Sequence, residues 1–164
     1  MDIGTFVVGI SLMTLCILPF VAMSRIKKNK EKQLLKSLSA IANQYGGNIV
    51  QHEIFGNFII GLDNSTNSVF FLKKDKEEEV IKHVRLAETK HCRVEETGRT
   101  ISNKDGSHKM VDRLDLHFTP TDSSKPDILM EFYNAQDSMQ LSGELQMIRK
   151  WEKTINDQLK HLKE

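Results

Sequence analysis

The chain opens with an uncharged segment that is long enough to cross a membrane. Ile3 to Met23 form a run of 21 positions without a charged side chain. Because an α-helix rises about 1.5 Å per residue, such a run covers roughly 30 Å, the thickness of a bilayer's hydrocarbon core. The run predicts a transmembrane helix at residues 3–23 and constrains everything that follows it.

Two kinds of cleaved leader compete with a retained anchor. A secretory signal peptide needs a basic start and a small-residue cleavage site. Met1 and Asp2 carry no basic side chain, and Phe20-Val-Ala-Met-Ser24 matches the cleavage motif poorly. A lipoprotein leader needs small residues before its cysteine, but Leu15 precedes Cys16. These departures favour a single-pass anchor.

A basic patch follows the uncharged run at once. Its five cations are Arg25, Lys27, Lys28, Lys30 and Lys32. No basic side chain precedes the run, so the positive-inside bias places the C-terminal portion in the cytoplasm. We therefore expect a single-pass membrane protein with its C-terminal domain in the cytoplasm. The same cations lie where anionic lipid head groups are found, which makes lipid binding a second interpretation of the patch.

Composition limits the class of partner. The chain has 164 residues and a net charge of +1, from 23 basic and 22 acidic side chains. This balance lacks the basic footprint of a nucleic-acid-binding protein. The two cysteines, Cys16 and Cys92, form no disulfide framework, which is typical of a reducing compartment. The roughly 140 residues beyond the anchor suit one ordinary domain.

Residues 24–47 are predicted to form a basic juxtamembrane segment and an amphipathic helix. Apolar residues recur every three or four positions from Lys30 to Tyr45, at Leu34, Leu35, Leu38, Ile41, Ala42 and Tyr45. Such spacing indicates a helix with one apolar face, and Gly46-Gly47 is a typical helix end. We expect a short break between the anchor and this helix, near Ser24 to Asn29.

Residues 48–164 are predicted to form a β-rich domain. Runs of β-branched and aromatic residues separated by turn signals indicate seven antiparallel strands. They are Asn48–Ile54, Asn57–Leu62, Ser68–Leu72, Val80–Ala87, Lys90–Glu96, Val111–Thr119 and Asp127–Tyr133. In the sixth strand Leu114, Leu116 and Phe118 alternate with polar residues. Ile101–Lys109 is rich in Asn, Asp, Gly and Ser, which predicts a loop.

The last apolar pattern predicts a long C-terminal amphipathic helix over residues 139–162. Its structural core is a stripe of six apolar residues at helical spacing: Leu141, Leu145, Ile148, Trp151, Ile155 and Leu159. Leu162 continues the same spacing at the end of the helix. Charged residues occupy the opposite face, as expected for a helix that packs on a core. Trp151 lies at the centre of the stripe and supplies its largest apolar surface.

Seven strands followed by one amphipathic helix resemble the pleckstrin-homology-like fold. The resemblance covers Asn48 to Leu162. The chain is also similar to membrane-anchored bacterial proteins that carry such a domain, through a strand ending Phe132-Tyr133 that is followed by a helix with Glu144 and Lys150-Trp151. It implies a sandwich of two nearly orthogonal sheets with the helix at one open end. Family members that bind phosphoinositides use basic residues in the first hairpin, which here, from Asn48 to Leu62, has none. An α+β sheet with helices on one face is the alternative.

No motif indicates catalysis, a metal site or a cofactor. The histidines lack a metal-ligand spacing such as H-E-x-x-H, and His91 and Cys92 point to opposite faces of a strand. G-x-S-x-G and phosphate-cradling glycine loops do not occur in the sequence. The pattern therefore favours a non-enzymatic, membrane-anchored protein that binds another protein through strand edges or the groove beside the final helix. Peripheral anionic-lipid sensing is the alternative, and an enzyme is third.

Overall fold

A computed structural model describes the backbone of residues 3–75, 78–103, 106–137 and 140–163. Within these ranges it also describes the side chains, except those of residues 3–22 and 101–109. The described residues form two helices, α1 (Ile3–Gln44) and α2 (Glu144–His161), and seven strands. The strands are β1 (Gln51–Phe55), β2 (Phe58–Asp63), β3 (Ser68–Lys74), β4 (Glu79–Arg85), β5 (Thr89–Asn103), β6 (Gly106–Pro120) and β7 (Ile128–Asn134). An α+β fold with seven antiparallel strands is confirmed.

The strands form two sheets in simple chain order. The first sheet has the order β1-β2-β3-β4 and the second has the order β5-β6-β7, with all neighbours antiparallel. Each sheet is a meander, because sequence neighbours are also sheet neighbours. The strands β1 and β4 are the edges of the first sheet, and β5 and β7 are the edges of the second.

The predicted transmembrane helix gains no support from the structure. Among the described residues, no helix is both long and apolar enough to cross a membrane. The side chains of residues 3–22, on which the prediction of a span depends, lie outside the described residues. The backbone is one continuous helix from Ile3 to Gln44, so the expected break near Ser24 to Asn29 is wrong.

The chain divides into two compact units, Met1–Ser37 and Leu38–Glu164. In the first unit the whole predicted basic patch, Arg25, Lys27, Lys28, Lys30 and Lys32, lies on α1 with its side chains exposed. The second unit holds both sheets, α2 and the last turns of α1.

The two central strands of the first sheet are buried on both faces. Every residue of β2 is buried, and so is every residue of β3 except the last. Leu38 and Ala42 of α1 are fully buried, and a Cβ atom on Gly61 would lie 2.9 Å from Cδ2 of Leu38. Glycine at this position lets the end of α1 pack closely on the outer face of the sheet. Continuous apolar runs, rather than alternation, are the sequence pattern of such a strand.

The main core lies between the two sheets. Leu114, Leu116 and Phe118 of β6 point into it and are buried. The apolar face of α2 covers the same core: Ile148, Trp151, Ile155 and Leu159 are buried, and Leu145 packs against it partly exposed. Leu141, predicted to belong to the helix, packs against the core from the segment before Glu144. The helix therefore contributes its one apolar face, as its spacing indicates.

Two boundaries differ from the sequence prediction. The predicted loop Ile101–Lys109 is wrong outside residues 104–105, because β5 and β6 remain paired as far as Asn103 and Gly106. Ladder hydrogen bonds use backbone groups, so turn-forming side chains do not prevent pairing. Helix α2 begins at Glu144 rather than 139, because Gly143 has φ 136°, outside helical space. Residues 138–139 lie outside the described part of the chain.

Candidate functional site

The two sheets meet along two seams that differ in how their strand edges are treated. We call the line where β1 and β5 border α2 the closed seam, and the line where β4 faces β7 the open seam. Edge strands carry unpaired backbone groups that favour pairing with another chain unless they are covered. The chemistry at each seam therefore determines where this domain can accept a partner.

At the closed seam, side chains of α2 take the place of a further strand. The side-chain amide of Asn156 accepts from the Cys92 N–H at 3.2 Å and donates to the Cys92 carbonyl at 2.8 Å. The Glu152 carboxylate accepts from the Val94 N–H at 2.9 Å. Each of these contacts satisfies a backbone group on the outer edge of β5, so the helix fills the edge that a docking peptide would need.

The same helix is also tied to β1. The indole N–H of Trp151 donates to the Glu53 carboxylate at 3.1 Å, and Lys150 donates to the same carboxylate at 2.8 Å. Trp151 is only 1% exposed, so its polar group is satisfied within the fold. The surface beside the final helix, one of the two docking surfaces expected from the sequence, is thus occupied by the chain's own side chains.

At the open seam, no strand or helix of the described part of the chain pairs with the outer edges of β4 and β7. Among the described residues no backbone hydrogen bond joins the two strands. Two cavities of about 370 Å³ and about 640 Å³ lie along the seam. Both are lined by His83, Pro126 and Ile128, so they form adjoining parts of one groove. Together the two cavities are lined by every residue from Val80 to Arg85, which is nearly the whole of the seven-residue strand β4.

The groove has an apolar floor and an exposed apolar rim. Phe71 and Phe118 line it and are each 1% exposed. On its rim Val80, Ile81 and Leu129 are exposed by 38%, 48% and 39%. Clustered exposed apolar side chains beside polar groups are typical of an interaction site.

His83 lies where the two cavities adjoin. Its ring stacks on Phe70 at 4.7 Å between centroids and lies 4.2 Å from the Tyr45 ring. The Nε2 atom is buried and has no hydrogen-bond partner among the described residues. Burial, together with the nearby Arg85, lowers the pKa of His83, which favours the neutral ring. A buried ring nitrogen without a partner is costly, and the neutral ring keeps that cost lower than a charged one would.

Cations outnumber carboxylates around the groove. The cations that line it are Lys73, Lys82, Arg85, Arg113 and Lys125, and the carboxylates are Glu88, Asp127 and Glu131. Lys82 is exposed and has no ion pair among the described residues. Arg85 and Lys125 share one carboxylate, that of Glu88, at 3.4 Å and 2.6 Å. Positive charge is therefore left unneutralised along the β4 side.

Lys73 crosses the open seam at one end. Its ammonium group lies 2.6 Å from Glu131 and 3.0 Å from Asp137. Burial lowers the pKa of Lys73, but the hydrogen bonds that its ammonium group donates to these two carboxylates outweigh this effect and leave the pKa raised. The pair links the first sheet to the second while the rest of the seam stays open.

A buried polar row on the outer face of the second sheet was not predicted. Asp115 and His117 alternate with the core residues of β6, yet they are only 4% and 7% exposed. The imidazole of His117 lies 2.8 Å from Glu95 and 2.5 Å from Asp127. Burial raises the pKa of Asp115, against the effect of its contact with Arg113. Strand alternation indicates which face of the sheet these two residues occupy. It does not indicate that the long side chains of neighbouring residues, such as Arg93 and Arg113, cover them.

The structure does not give Cys92 the surroundings of a nucleophile. The thiol is buried, and burial with the nearby Glu152 raises its pKa far above the ordinary range. The reactive form of cysteine is the thiolate, so a raised pKa makes the group inert. In the described part of the chain, no group of three or more His, Cys, Asp or Glu side chains could hold a metal ion.

Comparisons of the chain with protein-family models, with curated proteins and with solved structures found no match. The groove therefore has to be interpreted from its own chemistry.

Proposed function

We propose that this chain is a non-enzymatic, single-pass protein of a bacterial inner membrane that presents a pleckstrin-homology-like domain to the cytoplasm for binding another protein. The observation that carries this proposal is the open seam. The chain fills the edge of β5 with its own helix, but leaves β4 and β7 uncovered around an apolar groove.

The binding mode that fits this groove is strand addition. An extended segment of a partner places its backbone N–H and C=O groups against an exposed sheet edge, and its alternate side chains enter pockets. The rim residues Val80, Ile81 and Leu129 and the buried Phe71 supply apolar contacts for such side chains. Fold alone does not fix function, so the proposal depends on the groove and not on the resemblance.

A photo-crosslinking experiment in the native host tests protein binding. A benzoylphenylalanine at Ile81 should give a discrete adduct with one partner. The adduct should disappear when Leu129→Gln is introduced across the groove, because this change removes an apolar contact. Met110→Gln is the matched control, since Met110 is also 39% exposed but does not line the groove. An adduct that survives Leu129→Gln would contradict binding in the open seam.

The membrane anchor has a separate test. After alkaline extraction the full chain should stay with the membrane fraction, and its release would contradict the anchor. Cys92 is a poor topology probe because its thiol is buried. Asp157→Cys in a Cys16→Ser background places a thiol at a half-exposed position of α2. A membrane-impermeant maleimide should leave this thiol unlabelled in intact cells, and labelling would reverse the orientation.

A second candidate function is anionic-lipid sensing by the basic patch. It is favoured by the exposure of all five cations on α1. Each cation near an anionic surface adds about 1 kcal/mol of attraction. Replacing the five cations by Gln should abolish any dependence of vesicle binding on anionic lipid content, and unchanged binding would exclude this role.

A further inference from the structure

We infer that the segment bound in the open seam is acidic: an extended stretch of a partner protein that carries apolar residues together with carboxylates. This inference rests on the proposed protein-binding function and adds the chemistry of the partner. It is carried by two observations on the groove, namely its charge and its uncovered edges.

The charge of the lining selects the sign of the partner. Five cations and three carboxylates line the groove, but two of the cations, Lys73 and Arg113, are paired with Glu131, Asp137 and Asp115. Among the described residues Lys82 has no carboxylate partner, and Arg85 and Lys125 share the single carboxylate of Glu88. A carboxylate on the incoming segment would pair with these cations, whereas a lysine would add like charge.

The same charge disfavours a second copy of this chain as the occupant. Pairing two β4 edges would bring Lys82 and Arg85 of both copies together with only Glu79 of each strand to oppose them, and charged side chains on an edge strand are a known means of preventing self-association. An extended peptide supplies both carboxylates and backbone polar groups.

The length of the partner segment follows from the length of β4. A strand rises about 3.3 Å per residue, so a segment of about seven residues would match this edge. Phe71 and Lys82 are cross-strand partners, so the face of the segment that reaches the apolar floor also passes Lys82. Apolar side chains on that face would contact Phe71 and Phe118, and carboxylates at the positions nearest Lys82, Arg85 and Lys125 would pair with these cations.

The test is a selection from a randomised twelve-residue peptide library displayed on phage, using the full chain in mild detergent. Selected peptides should combine apolar residues with an excess of Asp and Glu over Lys and Arg. The binding of a synthetic copy should weaken about tenfold or more in Lys82→Glu/Lys125→Glu and should fall with added salt. Lys153→Glu on α2 is the control, since Lys153 does not line the groove.

The outcomes separate the two proposals. Peptides that lose binding in Leu129→Gln but show no acidic preference would overturn this inference and leave protein binding intact. Failure to select any peptide sensitive to Leu129→Gln would overturn protein binding itself. Vesicles containing anionic lipid that bind through Lys82 and Lys125, and outcompete the peptides, would overturn the peptide assignment. If the double charge reversal shows a lowered melting temperature, Lys82→Gln/Lys125→Gln replaces it, and unchanged binding by that variant would also overturn the inference.

Discussion

The closed seam and the open seam border the same core but are built for different purposes. At the closed seam Asn156 and Glu152 satisfy the edge of β5, and Trp151 buries its ring there. At the open seam, apart from the Lys73 ion pairs, β4 and β7 keep their edges uncovered beside exposed apolar side chains. Helix α2 therefore stabilises the side of the sandwich at the closed seam and leaves the side at the open seam accessible to a partner.

The largest expected effect belongs to the closed seam. Trp151→Ala removes the largest fully buried side chain and its bond to Glu53, so the free energy of unfolding should fall by about 3–5 kcal/mol. Denaturant unfolding of the full chain measures the change. Leu162→Ala, at a 38% exposed position of the same stripe, is the control and should cost far less. Equal costs would mean that α2 does not close the core.

A smaller loss is expected where α2 satisfies the edge of β5. Asn156→Ala removes both contacts with the Cys92 backbone, which should cost about 1–3 kcal/mol. Amide hydrogen exchange should accelerate at Cys92, while Asp157→Ala, on the exposed side of the helix, should leave that amide unchanged. Unaltered exchange at Cys92 in Asn156→Ala would contradict the closed edge.

Sequence periodicity predicts the elements on both sides of this comparison well. The alternation of Leu114, Leu116 and Phe118 and the stripe through Trp151 both follow from backbone geometry, which repeats locally. The closing contacts could not be predicted, because Asn156 and Cys92 lie far apart in sequence and meet only in the fold. Glu152 and Asn156 lie outside the apolar stripe of α2, among the polar residues of the helix, which are normally expected to face solvent.

The same limit hides the open seam. Val80, Ile81 and Leu129 look like ordinary strand residues, and nothing in their spacing shows that the edges of β4 and β7 face one groove. The continuous apolar runs of β2 and β3 did carry a usable signal for burial on both faces, since alternation is missing from them. Which element covers the outer face depends on where α1 ends, which is a tertiary property.

The ion pair across the open seam should contribute modestly and with a defined pH dependence. Lys73→Met should cost about 1 kcal/mol, because Glu131 retains its contact with Arg113. The raised pKa of Lys73 means that its contribution is fully present below its ordinary pKa of 10.5 and is lost as the pH rises through the folded-state value. Unfolding measured from pH 8 upward should show wild type and Lys73→Met converging. Parallel curves would contradict a stabilising pair.

The smallest effect on stability is expected at the rim of the open seam. Leu129→Gln should change the free energy of unfolding by no more than about 0.5 kcal/mol, as should Met110→Gln, because both side chains are already exposed. Thermal unfolding of the two variants compares them directly. A large loss in Leu129→Gln alone would show that the rim serves the fold and not a partner.

Amide hydrogen exchange of the full chain, with and without a saturating library-selected acidic peptide, tests the open seam as the docking site most directly. Exchange should slow in β4 (Glu79–Arg85) and β7 (Ile128–Asn134) and stay unchanged at Cys92 and Val94, whose amides α2 already satisfies. Protection that appears along β5 and α2 instead, with none in β4 and β7, would contradict the assignment.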